Sequence, residues 1–254
     1  MAIGRIKQRK TTMNKIFLLL GFMLVTPFAF AQSATDNEIM LNQSGDTLTL
    51  TIDQVGYGNK LCGSLSSDIC ATDWTLTGST LTINIDMIGN SNKVYGPTIL
   101  DSSDIDLTFT GDSNVWDWNI GYIGSADSSN MLVDFTGDSN SIDLDWGYVA
   151  SAERLDFDFD IIGDSNVFNI DLESDDITWD IDITGDSNNV VTDIKDGAYH
   201  SLTLDHTGSN ADIDIIMQSG TCPTGVSSCK SVIDITSDSE NATITINQKD
   251  TGDT

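Results

Sequence analysis

Proline, histidine and positive charge are all scarce in this chain, whose 254 residues hold three prolines, two histidines and eleven Lys or Arg against 39 Asp or Glu. The shortage of basic residues excludes a nucleic-acid-binding role, because a phosphate backbone is gripped by clustered Lys and Arg. His200 and His206 are the only imidazoles, and the sequence holds neither a metal-binding histidine set nor a nucleophile-elbow motif. The four cysteines lack nearby histidines and the two-residue separation of zinc and thioredoxin motifs, which argues against a metal or redox centre. A sustained 3.6-residue apolar stripe is also missing beyond the N-terminal segment, so helices should be few.

That N-terminal segment reads as a secretory address. Arg5, Lys7, Arg9, Lys10 and Lys15 precede an apolar run from Ile16 to Val25, and Ala29-Phe30-Ala31 supplies small residues for a cut before Gln32. The run is too short for an ordinary membrane span and no second one follows, so residues 1–31 are expected to be a signal peptide and the mature form to lack a span. Met13-Asn14-Lys15 reads as an alternative start. Removing residues 1–31 takes away five basic and no acidic residues, moving the formal charge from −28 to −28 − 5 = −33. Acidity of that size can accompany disorder, but a disordered chain lacks the regularly spaced Ile, Leu, Val, Phe and Trp found here.

What the chain has in abundance is repetition. Gly-Asp-Ser-Asn occurs verbatim at Gly111, Gly137, Gly163 and Gly185, with looser copies at Gly56-Tyr57-Gly58-Asn59, Gly89-Asn90-Ser91-Asn92 and Gly208-Ser209-Asn210. From Gly89 onward the spacings are 22, 26, 26, 22 and 23 residues, a period that signals stacked supersecondary units. On either side of each turn, apolar and polar residues alternate. Leu155, Phe157, Phe159 and Ile161 face one way and Asp156, Asp158 and Asp160 the other, and after the turn Phe168, Ile170 and Leu172 continue the apolar set.

A strand of about seven residues, a four-residue turn, a second strand and a short return make one coil. The expected fold is therefore all-β: a two-sided β-solenoid of stacked strand-turn-strand coils of about 22–26 residues over residues 32–254, with neighbours about 4.8 Å apart and a core roughly 10 Å thick. The longer intervals are expected to be absorbed by return loops at Gly121 to Asn130 and Gly147 to Arg154. Cys62 with Cys70, and Cys222 with Cys229, should close two further loops along that same return edge. Three pairings are formally possible, and nearest-neighbour closure suits an exported repeat protein. Each such bridge would contribute roughly 2.5 kcal/mol on a loop-closure estimate.

The turn residues Gly56, Asn59, Gly89, Asn92, Gly111, Asn114, Gly137, Asn140, Gly163, Asn166, Gly185 and Asn188 form the expected structural ladder. Glycine accepts positive φ at the bend, and asparagine side-chain amides are expected to stack from coil to coil. Ala211 takes the Asn slot in a less regular repeat, which places Leu202, Leu204, His206, Ile213 and Ile215 inside.

The segment Leu50-Thr51-Ile52-Asp53-Gln54-Val55-Gly56-Tyr57-Gly58-Asn59 distantly resembles a curlin repeat, in which alternating aliphatics lead to Gln, then Gly, then Asn three residues later. The resemblance implies a subunit of curli fibres, a β-solenoid that polymerises outside the cell as a functional amyloid of the biofilm matrix. It also implies an outer-membrane secretion pore and a nucleator as partners. Most repeats depart from the family in the Gln slot, which here holds Met87, Phe109, Phe135, Ile161, Ile183 and His206, giving a drier and bulkier core.

Three functions follow as expectations. The leading one is a secreted, non-enzymatic structural subunit, with itself as partner and no cofactor, because Glu38 to Gln43 and Ala242 to Gln248 read as uncapped strands at either end of the array. A calcium-stabilised adhesin, or another surface-binding solenoid, is the alternative, with Asp112, Asp138, Asp164 and Asp186 as calcium candidates. The nonapeptide calcium roll is absent, which favours diffuse counterion screening over specific sites. A polysaccharide-acting β-helix enzyme ranks last: pairs such as Asp175 and Asp176 invite it, but Asp on almost every coil is the pattern of a solvated face.

Overall fold

The computed structural model describes residues 37–64, 70–96, 102–120, 127–147, 152–197, 199–220 and 230–250. Residues 1–31, expected to be a signal peptide, Cys222, Cys229 and parts of the two expected return loops (121–126 and 148–151) lie outside these residues. Every regular element among the described residues is a β-strand, and all pairings are parallel.

The chain winds between two sheets. One has eight strands, Thr49–Val55, Thr82–Ile88, Asp104–Thr110, Ser129–Thr136, Leu155–Ile162, Asp176–Thr184, Tyr199–Thr207 and Val232–Asp238, stacked in chain order. The other has nine: Glu38–Ile39, Lys60–Leu61, Lys93–Tyr95, Val115–Ile120, Ser141–Trp146, Val167–Glu173, Asn189–Lys195, Asp212–Ser219 and Thr243–Asp250. Each step from the first sheet to the second passes through a Gly-x-x-Asn arc or its equivalent, so the molecule is the β-solenoid that the alternation predicts.

Register explains why the repeat length varies while the strands do not. Leu155 pairs with Ile177 and Ser129 with Leu155, so coils separated by 22 and by 26 residues meet in the same phase. A one-residue slip would turn every inward side chain out to water, so insertions are confined to the returns. The end coils are longer than the expected 22–26 residues. Thirty-three residues separate Asn59 from Asn92, and 31 separate His206 from Ser237. The first of these intervals contains the bonded Cys62–Cys70 pair, Cα to Cα 6.0 Å.

The start of the array also departs from two-sidedness. Asn42–Ser44 pairs with Thr75–Thr77 as a third short sheet, bent away at Gly45 (φ 140°) and Thr47 (φ 61°). Leu41, Trp74 and Leu76 are buried beneath it. The added side gives the longer first coil an apolar strip to bury, and the alternation between Gly45 and Asp53 alone does not announce it.

Burial follows period two through the array. Leu155–Ile162 alternates strictly between buried and exposed, and Phe157, Phe159, Phe168 and all five tryptophans are fully enclosed. Each such side chain contributes about 1.5–3 kcal/mol by leaving water. Phe109 and Phe135, successive in one inward column, stack at 4.4 Å between ring centroids, and Phe159 meets Trp179 edge-on at 5.4 Å. The tryptophans are therefore core residues rather than a sugar-stacking platform. Replacing Trp179 or Phe159 by Ala is expected to destabilise the fold by about 3–5 kcal/mol through lost burial and a cavity. Denaturant titration of each variant is the check, and near-parental midpoints would contradict the packing.

Candidate functional site

The most regular surface of the molecule is the edge formed by the arcs. Each arc bends at two residues with positive φ. The first is the glycine, at 127° to 145° for Gly111, Gly137, Gly163 and Gly185; the second lies two positions on, at 58° to 60° for Ser113, Ser139, Ser165 and Ser187. The second bend escaped the sequence reading. Its signal lay in the looser copies, where Gly58, Asn210 and Asn241 hold the same slot and share its positive φ. The glycine has a second constraint besides φ. A Cβ on Gly163 would overlap the carbonyl oxygen of Gly137, and a Cβ on Gly185 that of Gly163. The coils are so close at this point that no side chain fits between them.

The asparagines form a ladder, though of another kind than expected. Side-chain amides do not stack on one another through the series; each asparagine oxygen accepts the main-chain N–H of the asparagine one coil earlier. The distances are 3.0 Å for Asn59 to Asn92, 2.9 Å for Asn92 to Asn114, 2.8 Å for Asn114 to Asn140, 2.8 Å for Asn140 to Asn166 and 2.9 Å for Asn166 to Asn188. The side-chain nitrogens of Asn92, Asn114 and Asn140 donate to the carbonyl of their own arc glycine. A buried main-chain N–H must find an acceptor, and the bent arc has left its strand partner behind. Asn37, 22 residues before Asn59, adds a rung by donating to the Asn59 oxygen at 3.0 Å. The ladder stops at Ala211, which is buried in the same slot as the sequence reading required.

The calcium candidates make a second ladder with the opposite sense. The carboxylates of Asp112, Asp138, Asp164 and Asp186 accept the main-chain N–H of Asp138, Asp164, Asp186 and Ser209, each one coil later, at 2.9, 2.7, 2.7 and 2.7 Å. Asn90 opens the series by accepting from Asp112 at 3.0 Å. Each aspartate thus has a structural use of its own, as a charge-assisted rung on the solvent side of the arc. Among the described residues no group of three or more His, Cys, Asp or Glu is arranged to hold a metal ion.

The sheet faces carry the remaining carboxylates in columns. Asp134, Asp160, Asp182 and Asp205 are successive register partners on the eight-stranded sheet, and Asp145, Asp171 and Asp193 on the other. Neighbouring charges 4.8 Å apart repel by about 0.9 kcal/mol even in water. Partial burial, then repulsion from Asp143, Asp171 and Asp117, pushes the Asp145 carboxyl up to about 6, against the pull of Lys195. Burial followed by neighbouring carboxylates also raises Asp117, Asp134, Asp158 and Asp182 above the usual range. Lys195 is placed to relieve one column, 3.0 Å from Asp171 and 2.9 Å from Asp193. Burial works against its charge, but those two hydrogen bonds outweigh it and lift its pKa above the ordinary lysine value.

Both histidines are buried in the strand Tyr199–Thr207, as the sequence reading placed His206. The pair Asp175 and Asp176 sits at the start of the neighbouring strand on the return edge, where Asp175 donates its main-chain N–H to the Ala152 carbonyl. One shallow groove crosses the outer face of the eight-stranded sheet, with Asp104, Asp106, Asp156 and Asp158 on its walls. It is a furrow between solvated columns rather than an enclosed site. A scan against protein-family models, a search of curated proteins and a search of solved structures each found no match to this chain.

Two predictions follow from the arc and the columns. Gly163→Val is expected to abolish folding or lower the melting temperature sharply, whereas Asp158→Asn leaves it equal or higher, since the first collides with backbone and the second removes a repelled charge. Comparable thermal melts for the two variants would remove the arc assignment. Asp145 holds its proton more tightly folded than unfolded, so its contribution is full below pH 4 and is lost as pH rises through about 6. Asp145→Asn should therefore melt higher than the parent at pH 7.5 and converge with it below pH 4, in paired scans at matched ionic strength.

Proposed function

We propose that this chain is a secreted structural subunit whose copies add end to end into extracellular, curli-like fibres of a surface or biofilm matrix. The observation that carries the reading is a register-locked parallel array with strand edges free at both ends. Among the described residues, Thr49–Val55 and Glu38–Ile39 pair on one side only, as do Val232–Asp238 and Thr243–Asp250 at the other end.

The inward positions of the terminal coil support the same reading. Ile233, Ile235 and Ile244 are only partly buried and Ile246 is 49% exposed, while their counterparts one coil in, Leu202, Leu204, Ile213 and Ile215, are enclosed. A row of unpaired main-chain groups flanked by apolar side chains is a template for another chain. At the opposite end, Gln54 is 4% exposed with its side-chain oxygen unpartnered. The segment that resembles a curlin repeat, Leu50 to Asn59, supplies the strand and arc at this end, and the Cys62–Cys70 bridge suits an oxidising compartment outside the cell.

Purified chain lacking residues 1–31 is expected to form unbranched fibres by negative-stain microscopy, faster as salt screens the carboxylate columns. Ile246→Lys should block elongation while circular dichroism and melting remain parental, because the charge sits on the free end and not in the core. Monomer that persists at high concentration, with and without salt and divalent cations, contradicts the reading.

A further inference from the structure

We propose that His200 and His206 form an acid-sensitive latch, which holds residues 230–250, the last described coil, against the array and releases it when the imidazoles take up protons. The placement carries the argument. The chain has two histidines, and both lie in Tyr199–Thr207, the strand on which the edge strand Val232–Asp238 rests. The His206 ring touches that last coil directly, and His200 is tied to it through its main chain. The His206 Nδ1 meets the Ser237 hydroxyl at 3.3 Å, and the main-chain N–H of His200 donates to the Ser231 hydroxyl at 3.3 Å.

Both rings are built into the site as neutral groups. His200 is 1% and His206 2% exposed; the His200 Nδ1 has no hydrogen-bond partner, and the His206 ring has only the Ser237 hydroxyl and the nearby Gly185 carbonyl around it. A second proton would place a charged donor on a buried nitrogen, which is the costly case for a polar group out of water. The His200 Nε2 is already engaged with the Asp196 carbonyl. The facing charges are Asp175, Asp176 and Asp196 around His200 and Asp186 near His206; burial outweighs them, and both imidazoles titrate below the ordinary value of 6.5. From the last coil, Asp234 points outward and Lys230 is exposed, so neither faces a ring.

The sign follows from linkage. The released state binds the proton more tightly than the closed one, so stability of the contact is full above pH 6.5 and is lost as pH falls below it. At pH 5.5 an imidazole of ordinary pKa is protonated by about ten to one, so each histidine favours release by up to about tenfold. The carboxylate columns respond in the opposite direction. Burial, then neighbouring carboxylates, pushes Asp145 up to about 6, so mild acid that protonates it strengthens the central coils. A latch therefore differs from general acid denaturation by weakening one end while the middle tightens.

Where the free edge of Val232–Asp238 serves as the growing end, which rests on the assembly reading above, release would withdraw that end. The test does not depend on it. Hydrogen exchange of the full chain, dilute and monomeric, is compared at pH 7.5 and 5.5 after correction for intrinsic rates. The expected result is a loss of protection of about tenfold or more confined to 230–250, with protection in 129–195 held or increased. His200→Gln with His206→Gln should remove the pH response of 230–250. Should that variant not fold, imidazole proton resonances of the parent give the second measurement, and they should titrate below 6.5 in step with exchange of the last coil. Unchanged or increased protection of 230–250 at pH 5.5, the same loss in the double variant, or ring titration uncoupled from that exchange overturns the latch.

Discussion

Close stacking of the arcs is the constraint on which the rest of the structure depends. At Gly163 the backbone of one coil lies so near the Gly137 carbonyl that even a methyl group is excluded. That proximity sets the local repeat to the spacing of paired strands, and the sheets on either side inherit it. It also turns main-chain N–H groups away from ordinary sheet partners, and the chain answers with two sets of side-chain acceptors. Asparagine oxygens serve the buried N–H groups toward the start of the array, and aspartate oxygens serve the exposed ones toward its end. Gly-Asp-Ser-Asn is therefore one unit of hydrogen-bond geometry: close approach, outer rung, left-handed bend, inner rung.

The second determinant is charge. Parallel in-register stacking places identical residues over one another, so an aspartate repeated in sequence becomes a column in space. The arc column is moderated because each carboxylate accepts an N–H; on the faces, Asn119, Asn130 and Asn169 donate to single aspartates and Lys195 bridges two. Partial burial, reinforced by repulsion from neighbouring carboxylates, pushes Asp145 to about 6 above a mainly apolar core. The aromatic core and the backbone ladders supply the cohesion that holds the columns together, and the acidity outside opposes disordered lateral association.

Most of the fold was legible because its two periods are independent and both are strong. Period-two alternation fixed which side chains face inward, down to Ala211 and His206 in the least regular repeat, and the 22-to-26-residue interval fixed the coil. Hydrogen-bond partners were less legible. Asn in a repeated turn announces a ladder, but whether its oxygen reaches another amide or the main chain depends on how far the arc bends. That in turn depended on the positive φ at Ser113 and its equivalents, a residue type that does not advertise it. The third short sheet at Asn42–Ser44 and Thr75–Thr77 was hidden for a related reason: strands of three residues are too short for alternation to register.

The two ends of the array are unlike, and on the assembly reading that difference has a consequence. Parallel stacking makes any end-to-end contact heterologous, so one face must recognise a different face and growth runs without closure. The first coil presents a third side, a buried Gln54 and the asparagine rung begun at Asn37; the last presents half-covered isoleucines above a strand that contains both histidines. The asparagine ladder ends at Ala211, one coil before the last strand, so the final arcs are held by main-chain bonds such as Asn210 to Glu240 at 2.9 Å without an inner rung. Fewer ladder bonds and less apolar burial make this end the more easily opened one. An array that is tight at its middle and loose at one terminus can exchange that terminus with solvent or with a second copy without disturbing the core, and the imidazoles stand at the boundary between the two regimes.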